Sequence, residues 1–375
     1  MIEKAILQKP VKRIWILGDM HMGIRSNSLE WLQIQQDFYE NVFIPTLKKN
    51  VRDGDILVQV GDAFDNRQSI NLKVLHYSIN LFERLGEILP THVIVGNHDI
   101  WAKKSNEVSA IDSIKWIPNV QVYKDPIQYK WADKNVLLMP WRRDPDHEAE
   151  TLAEYPKANI IFCHSEVRGI ALNSKVKNMH GSDSQTFDRY EAVYSGHIHY
   201  RQKKGSLRMV GTPYQLTRSD AGNPKGFDLV DLTTMEETFF ENNYSPKFIK
   251  HNITTLYNTT LGNFKASIEN NFVDLYIPSK IAQTASLSTL INKIQKISRK
   301  IEPHIYQEED IIDKDLYDMD EIEGQFKNYD IKHLFRTYVD QMPYDDEMKQ
   351  KVQSRLKELH DQCVYSYTAD TTEEA

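Results

Sequence analysis

Asp19-Met20-His21 follows the apolar run Ile14-Trp15-Ile16-Leu17 across a single glycine, Gly18. Four groups of the same kind come after it in order: Gly61-Asp62, Gly96-Asn97-His98-Asp99, Cys163-His164 and Gly196-His197-Ile198-His199. Each stands after a short apolar run. Imidazole and oxygen donors without thiolate suit manganese, iron or zinc better than calcium, and so many imidazoles disfavour magnesium. Two such metals about 3.5–4 Å apart supply a nucleophile at neutral pH and clamp a phosphoryl group. The chemistry these residues could do together is hydrolysis of a phosphate ester. A single histidine at a strand end is more often structural, and Gly-Asp pairs are common turns. The ordered set carries the reading.

Asp19 and His21, two apart beyond a strand, can reach one metal as the chain turns. Asp62 is a lone carboxylate at a strand end and the candidate bridge between two metals. Asn97 offers an amide oxygen, His164 and His197 offer imidazoles, and His199 sits two beyond His197. Two divalent metals facing two carboxylates keep residual positive charge for a hydroxide and a phosphate anion. His98 adjoins Asn97 and is the candidate general acid or phosphate-stabilising group. Asp99 is the candidate to orient it.

The elements that must position these groups read as alternating strands and helices. Ile56–Val60, Val93–Val95, Ile160–Phe162 and Val193-Tyr194 are strand-like runs closed by Gly or polar residues. Leu72, Leu75, Ile79 and Phe82 share one helical face, and residues 28–50 read helical with Pro45 as a kink or stop. The pattern predicts an α/β sandwich with its ligands gathered at the C-terminal ends of the strands.

Near residue 245 the pattern changes. Asn242-Asn243-Tyr244-Ser245-Pro246 reads as a linker. A strand at Phe272–Ile277 and a helix with Leu287, Leu290, Ile291, Ile294 and Ile301 on one face follow, as a small α+β module. The domain boundaries predicted are 1–242, 243–308, an acidic linker 309–327, a helical hairpin 328–367 and a disordered tail 368–375. The hairpin rests on two apolar stripes, Ile331 to Met342 and Met348 to Cys363, joined by Met342-Pro343-Tyr344-Asp345-Asp346. Such a hairpin cannot bury its apolar face alone; it must dock on the chain's own body or on a partner, and a partner is the expected cover.

Charge and composition narrow the class. The chain has 375 residues and 40% hydrophobic content, enough for a sizeable core. Residues 301–375 carry 20 Asp/Glu against 8 Lys/Arg, while residues 1–300 carry 33 against 38. The net charge of -7 thus hides a mildly basic body, which is compatible with a polyanionic substrate. No apolar run approaches membrane-spanning length. The start lacks a signal-peptide pattern, and two distant cysteines imply no disulfide framework. A cytoplasmic protein without a membrane anchor is the expectation.

The motifs resemble those of the calcineurin-like metallophosphoesterases. Within them the chain resembles the SbcD-type nuclease subunit of the Mre–Rad double-strand-break repair complex, and especially its phage recombination-endonuclease members. The resemblance covers roughly residues 12–232. It includes Gly211-Thr212-Pro213-Tyr214-Gln215-Leu216-Thr217 and Asn223-Pro224-Lys225-Gly226-Phe227. It implies a two-sheet αββα fold with a small α+β capping domain at about 243–308. It implies one metal on Asp19, His21, Asp62 and His199, another on Asp62, Asn97, His164 and His197, and His98 as the catalytic histidine. Manganese, 3′-to-5′ exonuclease action on duplex ends and endonuclease action on single strands are implied too. So are a homodimer and an SbcC/Rad-type ATPase partner bound through residues 328–367. One departure stands out: cellular members commonly carry a histidine three residues after the bridging aspartate, where this chain has Asp65. Asp65 is either an accessory group of the site or a helix cap or partner for Arg67.

Arg67, Arg142, Arg143, Arg168, Lys175, Lys177, Arg201, Lys203 and Lys204 lie in segments near the motifs and are weak candidates for DNA phosphate contacts. Trp101 and Tyr214 could stack on bases, although packing is the commoner fate of such residues. Two other functions share the same residues: a generic metallophosphatase, and a non-catalytic scaffold that binds DNA ends. The terminal hairpin argues against the first, and the complete ligand set with His98 argues against the second.

Overall fold

Alternation along the strand Arg13–Leu17 sets the architecture, as seen in a computed structural model. Ile14 and Ile16 face one core, Trp15 and Leu17 another, and all are fully buried. Successive side chains point to opposite faces of a strand, so a run buried on both sides belongs to a central strand of a covered sheet. The structure describes residues 10–102, 105–254, 260–282, 285–307 and 348–355. The chain divides into two units, Met1–Tyr306 and Gln307–Ala375.

Two six-stranded sheets make the body of the first unit. In one, Arg13–Leu17, Asp55–Gln59, Thr91–Ile94 and Val120–Tyr123 run parallel, and Gly226–Asp231 and Glu237–Glu241 add antiparallel strands at the edge. In the other, Lys134–Met139, Ile160–His164, Ala192–Gly196 and Leu207–Met209 run parallel, flanked by the antiparallel strands Ile127–Trp131 and Gln202–Lys204. Ile14, Ile16, Ile56 and Val58 of the first meet Val136, Leu138, Ile160 and Phe162 of the second. The outer face of the first sheet packs on helices through Phe38, Phe43, Leu81 and Phe82. The outer face of the second packs on Leu152 and Phe187. This is the α/β sandwich that the strand and helix pattern predicts, with the two sheets that the resemblance implies.

Residues 28–50 are helical, as expected, but not uniformly. Leu29–Phe38 is α-helix capped by Ser28, Tyr39–Phe43 is a π-helical turn, and Ile44–Asn50 is α-helix again. Pro45 lacks an amide donor, and the wider π turn lies immediately before the segment that holds it.

A three-stranded parallel sheet, Phe248–Asn252, Phe272–Pro278 and Lys300–Tyr306, follows the sandwich. The helix Ala285–Gln295 packs Leu287 and Ile294 into its core. Ile301, expected on that helix, lies instead in the last strand, because the helix ends at Gln295. The predicted linker at Asn242–Pro246 is a pinned turn. Asn242 is buried, donates to the Pro213 carbonyl at 2.9 Å, and accepts from the amides of Tyr244 and Ser245 at 3.0 and 3.1 Å. Trp31 of the sandwich stacks on Phe272 with centroids 5.4 Å apart. The acidic linker 309–327 and most of the proposed hairpin lie outside the described residues; residues 348–355 are helical. Among the described residues no helix is long and apolar enough to cross a membrane.

Candidate metal centre

Both sheets deliver their donors from the C-terminal ends of parallel strands. Asp19 and His21 follow Arg13–Leu17, Asp62 follows Asp55–Gln59, and Asn97 and His98 follow Thr91–Ile94. His164 and Gly196 end their strands in the second sheet, and His197 comes next. The loops are tight. His21, Asp62 and His197 all hold left-handed backbone, with φ of 45°, 52° and 80°. Non-glycine residues held there store strain of about 1–3 kcal/mol each, and such strain clusters at functional sites. A Cβ on Gly96 would lie 2.2 Å from both the amide nitrogen and Oδ1 of Asp62, and one on Gly196 would lie 2.5 Å from Asp19 Oδ1. The glycines are there because backbone passes where a side chain would sit.

The donors gather in two groups with Asp62 between them. In one, His21 Nε2 and His199 Nε2 are 2.9 Å apart, and His199 Nε2 is 3.6 Å from Asp19 Oδ2. In the other, Asn97 Oδ1 lies 2.9 Å from His164 Nε2 and 2.7 Å from His197 Nδ1. Asp62 Oδ2 lies 3.7 Å from His21 Nε2 and 3.3 Å from His164 Nε2. Asp19, His21 and His199 can share one ion, as can Asp62, His164 and His197.

Divalent metals fit this donor set. Asp19 Oδ1 is buried and has no hydrogen-bond partner, an uncompensated cost that a cation would remove. His164 Nδ1 is hydrogen-bonded to the Val60 carbonyl at 2.8 Å, and His21 Nδ1 to Asp65 Oδ1 at 3.0 Å. Partners of this kind on the outer nitrogen fix a ring and turn Nε2 toward a metal. Asp65 is thus placed to orient His21.

The charge pattern is that of a cluster held by protons. Burial disfavours the charged forms of His21 and His164, but hydrogen bonding to Asp65 and attraction to Asp62 respectively outweigh it and push each up to about 9. Burial lifts Asp19 to about 7. Burial also opposes ionisation of Asp62, yet the imidazoles around it, His164 first, hold it below the usual carboxylate range. His197 is lowered by burial, then by His164, to about 3. Burial likewise takes His199 well below the ordinary imidazole value.

His98 and Asp99 sit at the same loop but are not partners. The Asp99 carboxylate accepts from the amides of Phe64 and Gly96, each at 2.9 Å, and so clamps two ligand loops together. His98 is oriented by another group: its Nδ1 donates to the Asp65 carbonyl at 2.8 Å. Its backbone amide donates to Asp62 Oδ1 at 2.7 Å.

Among the basic candidates, Arg142 is buried and donates to the carbonyls of Pro140 and Lys124, which corrects its reading as a DNA contact. Arg201 is likewise committed, bidentate to Asp228 at 2.7 and 2.6 Å. Arg143, Lys203 and Lys204 are exposed, and Arg67 is half-buried. Tyr214 is buried, with its hydroxyl 2.5 Å from the Met20 carbonyl, whereas Trp101 is 59% exposed. Two positioning groups escaped the sequence reading. Gln59 Nε2 donates to the carbonyls of Gly18 and Gly61, and Gln35 Nε2 to those of Met20 and His21. A glutamine inside the apolar run Ile56–Val60 was the available signal, because a buried amide must find partners.

A buried, strained cluster of imidazoles and carboxylates at the joined edges of two sheets defines a metal-dependent phosphoesterase. Residues 12–202 match the calcineurin-like phosphoesterase family, and the chain belongs to it. Among curated proteins it is similar to exonuclease subunit 1 of Enterobacteria phage T4, at 30% identity over 62% of this chain and 68% of that protein. It is also similar to putative phosphoesterase 078R of Invertebrate iridescent virus 3, at 25% identity over 50% of this chain and 53% of that one. Putative phosphoesterase 244L of Invertebrate iridescent virus 6 is 23% identical over 51% and 66%.

Proposed function

We propose that the chain is the nuclease subunit of a DNA-processing complex and hydrolyses phosphodiester bonds with two manganese ions. Its similarity to a phage exonuclease subunit, across most of that protein's length, is the observation that carries the choice of DNA. In this reading Asp19, His21, Asp62 and His199 hold one ion. Asp62, Asn97, His164 and His197 hold the other, with Asp62 shared. Bound ions would supply an activated water and offset the charge of the phosphate.

The residues have their own work. Asp62, placed between the two groups, fixes their separation. Because His98 Nδ1 donates to the Asp65 carbonyl, its Nε2 is left for the substrate. Burial lowers the pKa of His98, so the free ring is neutral near pH 7, and an arriving phosphate anion favours its protonated form. As water adds to phosphorus and the bond to the leaving oxygen breaks, the Nε2 proton passes to that oxygen. Asp99 serves by holding the Gly96 loop in register.

The wider assembly follows the same reading. Residues 243–308 form a capping module that helps hold DNA, residues 328–367 bind an SbcC/Rad-type ATPase, and the nuclease domain forms a homodimer in the cytoplasm. Arg143, Lys203 and Lys204 remain candidates for phosphate contacts.

The test is manganese-dependent cleavage of duplex and single-stranded DNA by the wild type, Asp62→Asn and His98→Ala, with and without the ATPase. Asp62→Asn should lose activity together with metal binding. His98→Ala should keep its metals and lose about 10²–10⁴-fold in turnover. Robust phosphomonoesterase turnover without any DNA cleavage would overturn the proposal.

A further inference from the structure

His199 is half-buried. Its side chain is 32% exposed, against 2% or less for Asp19, His21, Asp62 and His164. His21 and His164 are each held at the outer ring nitrogen, by Asp65 and by the Val60 carbonyl. Among the described residues no such hydrogen bond holds the outer nitrogen of His199. Its ring meets the edge of His21, with centroids 4.7 Å apart, on the metal side alone.

Its backbone is held instead. Lys225 Nζ donates to the His199 carbonyl at 2.6 Å and to Asp220 Oδ1 at 2.6 Å. Lys225 and Asp220 are buried, at 4% and 3% exposure. The other Asp220 oxygen accepts the amides of Leu216 and Thr217, each at 2.9 Å. Two residues past His199, Asn223 brackets Arg201, accepting from its amide at 2.8 Å and donating to its carbonyl at 3.1 Å. A buried ion pair is weak support for stability, because desolvation offsets most of the attraction. Its position beneath a ligand's carbonyl is a reason of another kind.

The same short segment reaches the three-stranded module. Arg218 Nε donates to both oxygens of Asp274 at 3.0 and 2.9 Å, and its Nη2 pairs with Glu302. Asp274 lies in the strand Phe272–Pro278 and Glu302 in Lys300–Tyr306. One continuous chain of contacts therefore runs from the module through Arg218, the Thr217 turn, Asp220 and Lys225 to His199.

We propose that Lys225 and Asp220 are positioning residues for His199, and that Arg218 makes the filling of the Asp19–His21–His199 pocket depend on how the three-stranded module is docked. This rests on reading those three residues as one metal pocket of the proposed two-metal site. It does not depend on DNA being the substrate.

The experiment titrates the metal-free 375-residue chain with manganese(II) by calorimetry and follows thermal unfolding alongside. His199→Ala identifies which binding step belongs to this pocket. Lys225→Met combined with Asp220→Asn removes both buried charges together, so neither is left unpaired. This double variant should weaken that same step about 10–100-fold, the scale for lost outer partners of a ligand, and leave the other step unchanged. Arg218→Gln, at a partly exposed side chain, should shift the same step several-fold in the same direction. An unchanged titration for the double variant would overturn the positioning role. Equal loss of both steps with a fall in the unfolding midpoint would also overturn it, because it would mark a purely structural pair. A normal step with Arg218→Gln would overturn the coupling to the module. No effect of His199→Ala on either step would show that the pocket reading itself has failed.

Discussion

Asp65 contacts two of the site's imidazoles at once, and with His21 and His98 it forms a further group that could hold an ion. Its carboxylate holds His21 Nδ1 at 3.0 Å and its carbonyl holds His98 Nδ1 at 2.8 Å. One residue thus sets the rings of a proposed ligand and of the proposed acid. The carbonyl contact survives any substitution, but the carboxylate contact does not. Asp65→Ala should therefore weaken manganese binding about 10–100-fold while leaving the orientation of His98 intact. Equilibrium titration of the metal-free protein checks this. Unchanged affinity would return Asp65 to a cap or a partner of Arg67.

At the scale of the element, the loops matter more than the strands they leave. The Gly96 loop crosses the Asp62 loop so closely that a methyl group on Gly96 would fall 2.2 Å from the Asp62 amide and carboxylate. Asp99 clamps the crossing by accepting from Gly96 and Phe64. Gly96→Ala should displace Asp62, destabilise the fold by about 1–3 kcal/mol and abolish binding of both ions. Metal analysis and chemical unfolding of the variant measure both effects. Full metal content would show that the loop can relax around the added carbon.

Across the two sheets, the sandwich brings the seven proposed donors from five strand ends to one place where charge must balance. Without metal, His21 and His164 carry that balance as protonated rings, each raised to about 9. A metal needs them neutral, so binding must expel protons. The sign follows directly: below about pH 9 each ring gives up a proton on binding, and affinity falls as pH falls. Asp19, raised to about 7, adds a further proton to the exchange below that pH. Calorimetry at pH 8 in buffers of different ionisation heat should register release of about two protons per fully loaded protein. Release of none would mean that the rings are already neutral in the metal-free state.

The donor types, their order and the strands they follow are readable from the amino acids alone, because β-branched runs closed by glycine and polar residues encode strand ends locally. The Asp19, Asp62, Asn97, His164 and His197 motifs are legible for that reason, and so is the α/β class; the two-sheet arrangement came from the family resemblance. The contacts between segments far apart in the chain come from the fold instead. Asp99 adjoins His98 in sequence yet is turned to Phe64 and Gly96, while Asp65, 33 residues away, orients His98. Arg142 looked like a free cation and is buried on carbonyls. Ile301 continued a helical stripe and became a strand residue beside Val273. Periodicity and spacing report which face a side chain occupies within its own element. They do not report which backbone amide, carbonyl or strand the fold will bring against that face.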